Sequence, residues 1–88
     1  MKKYNVVISK VASRELKSLS KEIIPVLYSK MLSLSENPRP AGCNKLKGYK
    51  EDIWRIRIGD YRISYSIDDI ICVVDIRHVG NRKDIYRQ

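Results

Sequence analysis

The chain has 88 residues, with 18 Lys and Arg against 10 Asp and Glu, a formal net charge of +8, and 43% hydrophobic residues. This length fits one domain, residues 1–88, with a modest core, and the hydrophobic content excludes a disordered chain. No apolar run approaches the roughly 18 residues of a membrane span.

Val6-Val7-Ile8 is too short for the apolar region of a signal peptide, and Lys10 interrupts it. Cys43, Cys72 and His78 are the only Cys and His residues, one ligand short of a structural zinc set and too few for a disulfide framework. A reduced cytoplasmic protein with no metal, no cofactor and no membrane contact is expected. The positive field favours nucleic acid, an acidic protein partner or an anionic surface. Residues 1–38 hold seven basic residues, of which only Arg14 is arginine. Residues 39–88 hold eleven, and seven are arginine: Arg39, Arg55, Arg57, Arg62, Arg77, Arg82 and Arg87. The guanidinium fork matches phosphate oxygens, so the C-terminal half reads as the half that touches phosphate.

In chain order, residues 3–9 read as a short β-branched strand. Val11, Ala12, Leu16 and Leu19 then predict a short amphipathic helix, capped by Ser9 or Ser13. Ile23, Leu27, Met31 and Leu34 recur at helical spacing, a second helix to about Ser35, with Pro25 in its first turns. Asn37-Pro38-Arg39-Pro40 ends it. Residues 41–52 are polar, contain Gly42 and Gly48, and read as an exposed loop.

Trp54, Ile56 and Ile58 alternate with Arg55 and Arg57; Gly59-Asp60 is a two-residue turn. Tyr61, Ile63, Tyr65 and Ile67 alternate with Arg62, Ser64 and Ser66; Asp68-Asp69 is a second turn candidate. Ile70, Cys72, Val74 and Ile76 alternate with Ile71, Val73, Asp75 and Arg77. The result is an α+β domain of order β-α-α-β-β-β. Two N-terminal helices lie on one face of a mainly antiparallel four-stranded sheet, followed by a short C-terminal tail.

Two-residue turns set Arg57 opposite Arg62 and Ile56 opposite Ile63, then Arg62 opposite Asp75, Ile63 opposite Val74 and Tyr65 opposite Cys72. Trp54, Ile56, Ile58, Tyr61, Ile63, Tyr65, Cys72, Val74 and Ile76 then face the helices, and by parity His78 continues this buried face. The other face carries Arg55, Arg57, Arg62, Ser64, Asp75 and Arg77. Like charges directly opposite destabilise a sheet, and Asp75 can compensate only one arginine, so the cluster reads as an anion site. The alternative is a solvated face with an Arg62–Asp75 surface pair. In the tail, Tyr86 either stacks on a base or packs on the core.

Lys45-Leu46-Lys47-Gly48, the run Trp54-Arg55-Ile56-Arg57-Ile58-Gly59-Asp60-Tyr61-Arg62-Ile63 and the run Val79-Gly80-Asn81-Arg82-Lys83-Asp84-Ile85-Tyr86 carry a resemblance. Over nearly its whole length the chain resembles the RelE/ParE superfamily of toxin–antitoxin toxins, in its RelE-like branch. The resemblance implies a metal-independent messenger RNA endonuclease acting in the ribosomal A site. Cleavage would proceed by attack of a ribose 2′-hydroxyl on the adjacent phosphate. The implied partners are ribosome, messenger RNA and a cognate RelB-like antitoxin that holds the toxin inactive.

By position, Arg55 and Arg57 match two family lysines on the first meander strand, and Arg62 matches an arginine on the second. Arg82 and Tyr86 match the arginine and stacking tyrosine of the tail. These five form the implied catalytic set, with Lys45, Lys47, Arg77 and Lys83 as RNA-binding candidates. Arginine at 55 and 57 departs from the family pattern, because a guanidinium does not give up its proton. No general base stands out, and the ribosome or another group such as His78 is left to supply one. Asn81 stands where many relatives carry a histidine. A ParE-like inhibitor of DNA gyrase and a non-catalytic basic RNA-binding protein are the alternative functions.

Overall fold

Ser9 joins the first strand to the first helix. Its N–H donates to the Ile76 carbonyl at 3.0 Å, and its Oγ accepts the Ala12 N–H at 3.1 Å. One residue thus closes a strand and caps a helix, which satisfies a donor that would otherwise be orphaned. The computed structural model describes residues 3–48 and 50–81. Its elements are β1 (Asn5–Ile8), α1 (Lys10–Lys17), α2 (Ile24–Ser33), β2 (Asn44–Leu46), β3 (Ile53–Ile58), β4 (Tyr61–Asp68) and β5 (Val73–Asn81). Among the described residues, no helix is long and apolar enough to cross a membrane.

The sheet order is β1-β5-β4-β3-β2, with β1 parallel to β5 and the other pairs antiparallel. The α+β class and the two helices on one face stand as the sequence predicts. Within the stretch read as a loop, Asn44–Leu46 forms a fifth, edge strand, with Leu46 opposite Ile53. Three residues of pairing carry too little alternation to be visible in a sequence.

Ala12 and Leu16 of α1 and Leu27, Met31 and Leu34 of the α2 region pack against Ile56, Ile63, Tyr65, Val74, Ile76 and Val79 of the sheet. Ile63 and Tyr65 are fully buried, so truncating Ile63 to alanine would cost about 2–5 kcal/mol. The buried Tyr65 hydroxyl donates to the Pro38 carbonyl at 2.8 Å, which ties β4 to the chain leaving α2.

The β4–β5 connection is longer than the two residues expected. Asp68 Oδ1 accepts the N–H groups of Ile70 (2.9 Å) and Ile71 (3.1 Å), and Cys72 has φ 55, so residues 69–72 form the turn. Ile70 is 93% exposed at its tip. The next residue, Val73, pairs with Asp68. Relative to the expected register β5 is displaced by an even number of residues, so Val74 and Ile76 keep the helix-facing side. Their partners change: Val74 pairs with Ile67 and Ile76 with Tyr65. Cys72 leaves the sheet for the turn.

Candidate nucleic-acid interface

The β3–β4 hairpin has the expected register: Ile58 opposite Tyr61, Arg57 opposite Arg62, Ile56 opposite Ile63 and Arg55 opposite Ser64. Its two-residue turn starts at Gly59 with φ 58, a conformation glycine adopts without a Cβ penalty. Arg55, Arg57 and Arg62 therefore share the sheet face that points away from the helix-covered core. Arg57 is exposed, Arg55 half-buried and Arg62 only 7% exposed. Arg62 is buried on the side opposite the helices, not beneath them.

On the far side of Arg62 the partner is Gly80, not Asp75. The longer turn carries Asp75 to Ser66, and the expected Arg62–Asp75 pairing does not form. Asp75 instead pairs with Arg77 at 3.2 Å, and Glu51 takes the same guanidinium at 2.8 Å. Arg77 also donates from Nε to Ser66 Oγ at 3.3 Å. Of the RNA-binding candidates, Arg77 is thus balanced by two carboxylates.

Lys45 lies opposite Trp54, which by alternation puts it on the other face from Arg55, and it pairs with Asp52 at 3.1 Å. Lys47 is exposed just beyond β2. Arg39, counted with the phosphate-touching arginines, serves the scaffold. It forms a bidentate pair with Asp69 (3.2 and 2.8 Å) and stacks 5.1 Å from the Trp54 ring centroid. The pairing with Asp69 raises the Arg39 pKa, and the hydrogen bond to Asp69 raises that of Tyr4, whose hydroxyl lies 2.6 Å from the same carboxylate. Arg82, Lys83 and Tyr86 lie outside the described residues.

A register shift between Ser64 and Tyr65 marks a β-bulge in β5. Tyr65 pairs with Ile76 but Ser64 pairs with His78, which leaves Arg77 as the extra residue. Two residues at the start of α1 and on its side hold the bulge. Ser9 Oγ donates to the Arg77 carbonyl at 3.2 Å, and Glu15 Oε1 accepts the Val79 N–H at 3.2 Å. Beyond the bulge the faces exchange. Val79, 2% exposed, enters the core, and His78 turns out to the arginine face with its side chain 65% exposed. The expectation of a buried His78 is corrected here: period-two counting fails across an inserted residue, and α1, not the strand's own sequence, fixes where the insertion falls.

The open face is electrically divided. Arg55, Arg57 and Arg62 gather near the Gly59 turn. At the other end, Glu51, Asp52, Asp68 and Asp75 line a cleft of about 380 Å³ together with Ser66 and Arg77. A second cleft of about 320 Å³ is lined by Ser9, Val11, Glu51, Ile53, Ser64, Arg77 and His78. A polyanion meets attraction at the first end and repulsion at the other, so the arrangement can grip a phosphate and orient the strand that carries it. Fixed guanidinium groups can also neutralise charge that builds on phosphate oxygens.

A family model described as the ParE toxin of the type II toxin–antitoxin system parDE matches residues 6–83. The toxin RelE of Mycobacterium tuberculosis is 34% identical over 96% of this chain and 87% of its own length. The chain belongs to the RelE/ParE superfamily of type II toxins, on its RelE-like side. The toxin–antitoxin complex RelBE2 of Mycobacterium tuberculosis superposes with TM-score 0.81 at 28% identity, covering 91% of this chain and 99% of that one. The archaeal RelE–RelB complex of Pyrococcus horikoshii gives TM-score 0.78 at 31% identity, covering 93% and 97%. The likeness spans the sheet and both helices, so the arginine face of this toxin sits on a scaffold shared with RelE proteins.

Proposed function

We propose that this toxin is a ribosome-dependent, metal-independent endonuclease of messenger RNA, restrained by a RelB-type antitoxin. The observation that carries the reading is the alignment of exposed Arg57 with Arg62, flanked by Arg55, on the sheet face away from the helices. In this mechanism Arg57 and Arg62 hold the scissile phosphate while the neighbouring ribose 2′-oxygen attacks phosphorus. Their fixed charge stabilises the phosphorane-like transition state more than the ground state. Arg55, Lys47 and Lys83 contact flanking phosphates, and Arg82 and Tyr86 join the same centre by their match to the family tail. Two of the similar structures are complexes of a RelE-type toxin with its RelB antitoxin, which supports a RelB-type antitoxin as partner.

Mapping of cleavage ends on ribosome-bound messages after induction tests the reading. Breaks in phase with the codon, lost in Arg57→Ala and Arg62→Ala together with growth arrest, are expected. Growth arrest with intact messages overturns it. The family model's description names ParE, so inhibition of gyrase supercoiling by the purified protein is the outcome that would replace the ribonuclease with a gyrase inhibitor.

A further inference from the structure

We infer that His78, oriented by Glu15, is the proton acceptor for the attacking 2′-hydroxyl. This inference rests on the ribonuclease reading above and supplies the group that its arginines cannot. A guanidinium stays protonated at any pH a cell reaches, so Arg55, Arg57 and Arg62 can bind and neutralise a phosphate but cannot remove a proton.

Three features of the fold converge on His78. The bulge at Arg77 rotates it onto the arginine face, in one cross-strand row with Ser64 and Arg55. Its row is next to that of Arg57, Arg62 and Gly80. Diagonal neighbours on adjacent strands lie about 7–8 Å apart, a span that a bound dinucleotide bridges. The imidazole is also open to solvent, 65% exposed, and lines the cleft with Ser9, Val11, Ile53 and Ser64. Finally, Nδ1 stands 3.3 Å from Oε1 of Glu15. A carboxylate only accepts, so Nδ1 carries the hydrogen and the lone pair is left on Nε2. Glu15 is itself held by the Val79 N–H at 3.2 Å, so the orienting carboxylate is anchored to the strand that presents the base. This is the base-plus-orienter arrangement by which enzymes prepare an imidazole for proton abstraction.

In the step, His78 Nε2 takes the proton of the 2′-hydroxyl as the 2′-oxygen bonds to phosphorus. The bond from phosphorus to the 5′-oxygen of the next nucleotide breaks, and that oxygen takes a proton from water. The products are a 2′,3′-cyclic phosphate and a 5′-hydroxyl end, and the imidazolium returns its proton to solvent. Among the described residues, the charged and titratable groups around the ring are Glu15 on α1, Arg77 on β5, Glu51 ahead of β3 and Arg55 on β3. Arg77 is itself shared by Glu51 at 2.8 Å and Asp75 at 3.2 Å. Glu15 is a positioning residue and touches no reacting atom.

The test is single-turnover cleavage of message on purified ribosomes by wild type, H78Q, H78A and E15Q across pH 5 to 9, with thermal melts to confirm folding. H78Q is expected to cleave at least about 100-fold more slowly, the scale of general-base loss, while still cosedimenting with ribosomes. The wild type is expected to lose rate as acid protonates one group, and H78Q to lack that limb. Added imidazole is expected to restore H78A in its neutral form. E15Q is expected to slow the wild type but to add nothing to H78Q. A folded H78Q that cleaves at the wild-type rate overturns the assignment and leaves the ribonuclease reading intact. So does a slow one that keeps the acid limb while H78A ignores imidazole. Wild-type protein that does not cut ribosome-bound message overturns both.

Discussion

Arg57 and Arg62 face one another across the β3–β4 ladder, and the third position of their row is Gly80. No carboxylate shares that row. Opposed like charges cost a sheet about 0.2–1 kcal/mol, and Arg57 has no ion pair among the described residues to offset its share of that cost. Arg57→Thr is therefore expected to raise the thermal midpoint by a few degrees, since about 1 kcal/mol moves a domain of this size by about 4–8 °C. Arg57 is exposed and the change leaves no cavity. The same variant is expected to lose about 100-fold or more in cleavage, the scale of removing one charge-stabilising donor. Calorimetry beside the ribosome assay checks both; a lowered midpoint would mean that the opposed pair is not under electrostatic stress.

Arg77 and Arg57 stand on one face but differ in what surrounds them. Arg77 is shared by Glu51 and Asp75, whereas Arg57 has no ion pair among the described residues. A balanced guanidinium releases few counterions when it meets a phosphate. Binding of an uncleavable single-stranded RNA, 2′-O-methylated at the scissile ribose, is expected to follow salt less steeply in Arg57→Ala, by about 0.7 in the logarithmic slope. Arg77→Ala is expected to leave the slope close to wild type. A larger loss in Arg77→Ala than in Arg57→Ala would assign the phosphate to the bulge.

Tyr65 and Tyr4 give the fold an alkaline limit. Burial pushes the Tyr65 phenol well above its ordinary pKa, and the hydrogen bond to Asp69 raises that of Tyr4. A raised folded-state pKa means that above about pH 10 the unfolded chain releases protons that the folded chain retains. Stability is then full below that pH and falls as pH climbs toward the folded-state values. Urea midpoints between pH 8 and 11 are expected to decline at the alkaline end. In Tyr65→Phe the decline is expected to be shallower, with a loss of about 1 kcal/mol at neutral pH from the missing bond to Pro38. An unchanged alkaline slope in that variant would remove Tyr65 as its source.

The two hairpins show what a sequence can and cannot specify. Around Gly59-Asp60 every cue agrees: a glycine suited to positive φ, strict alternation on both sides, and apolar residues meeting apolar partners. That register, and with it the shared face of Arg55, Arg57 and Arg62, was legible. Around Asp68 the alternation of Ile70, Cys72, Val74 and Ile76 runs without a break, and only the Asp68 side chain, by capping Ile70 and Ile71, sets a longer turn. The face assignment survived because the displacement is even. The side that His78 takes was not legible, since it depends on contacts from Ser9 and Glu15, more than sixty residues away in the chain. The face that Lys45 takes was not legible for a similar reason: a short edge strand fixes it, and a polar loop sequence gives no hint of it.

The Gly59 turn offers a way to perturb the arginine alignment without touching an arginine. A Cβ at Gly59 would meet nothing within 4 Å, so any effect of substitution comes from its φ of +58 alone. Left-handed backbone costs an ordinary L-residue about 1–2 kcal/mol, while asparagine adopts it more readily. Gly59→Ala is expected to lower stability by about 1 kcal/mol, and Gly59→Asn by a few tenths, with the urea m-value unchanged in both. If the turn sets how Arg57 and Arg62 meet the phosphate, cleavage by Gly59→Ala falls beyond what its small unfolded fraction explains, and Gly59→Asn keeps most of it. Equal activity in both would place the alignment under the control of the β4–β5 ladder, where the bulge and the contacts from α1 pin the opposite side of Arg62.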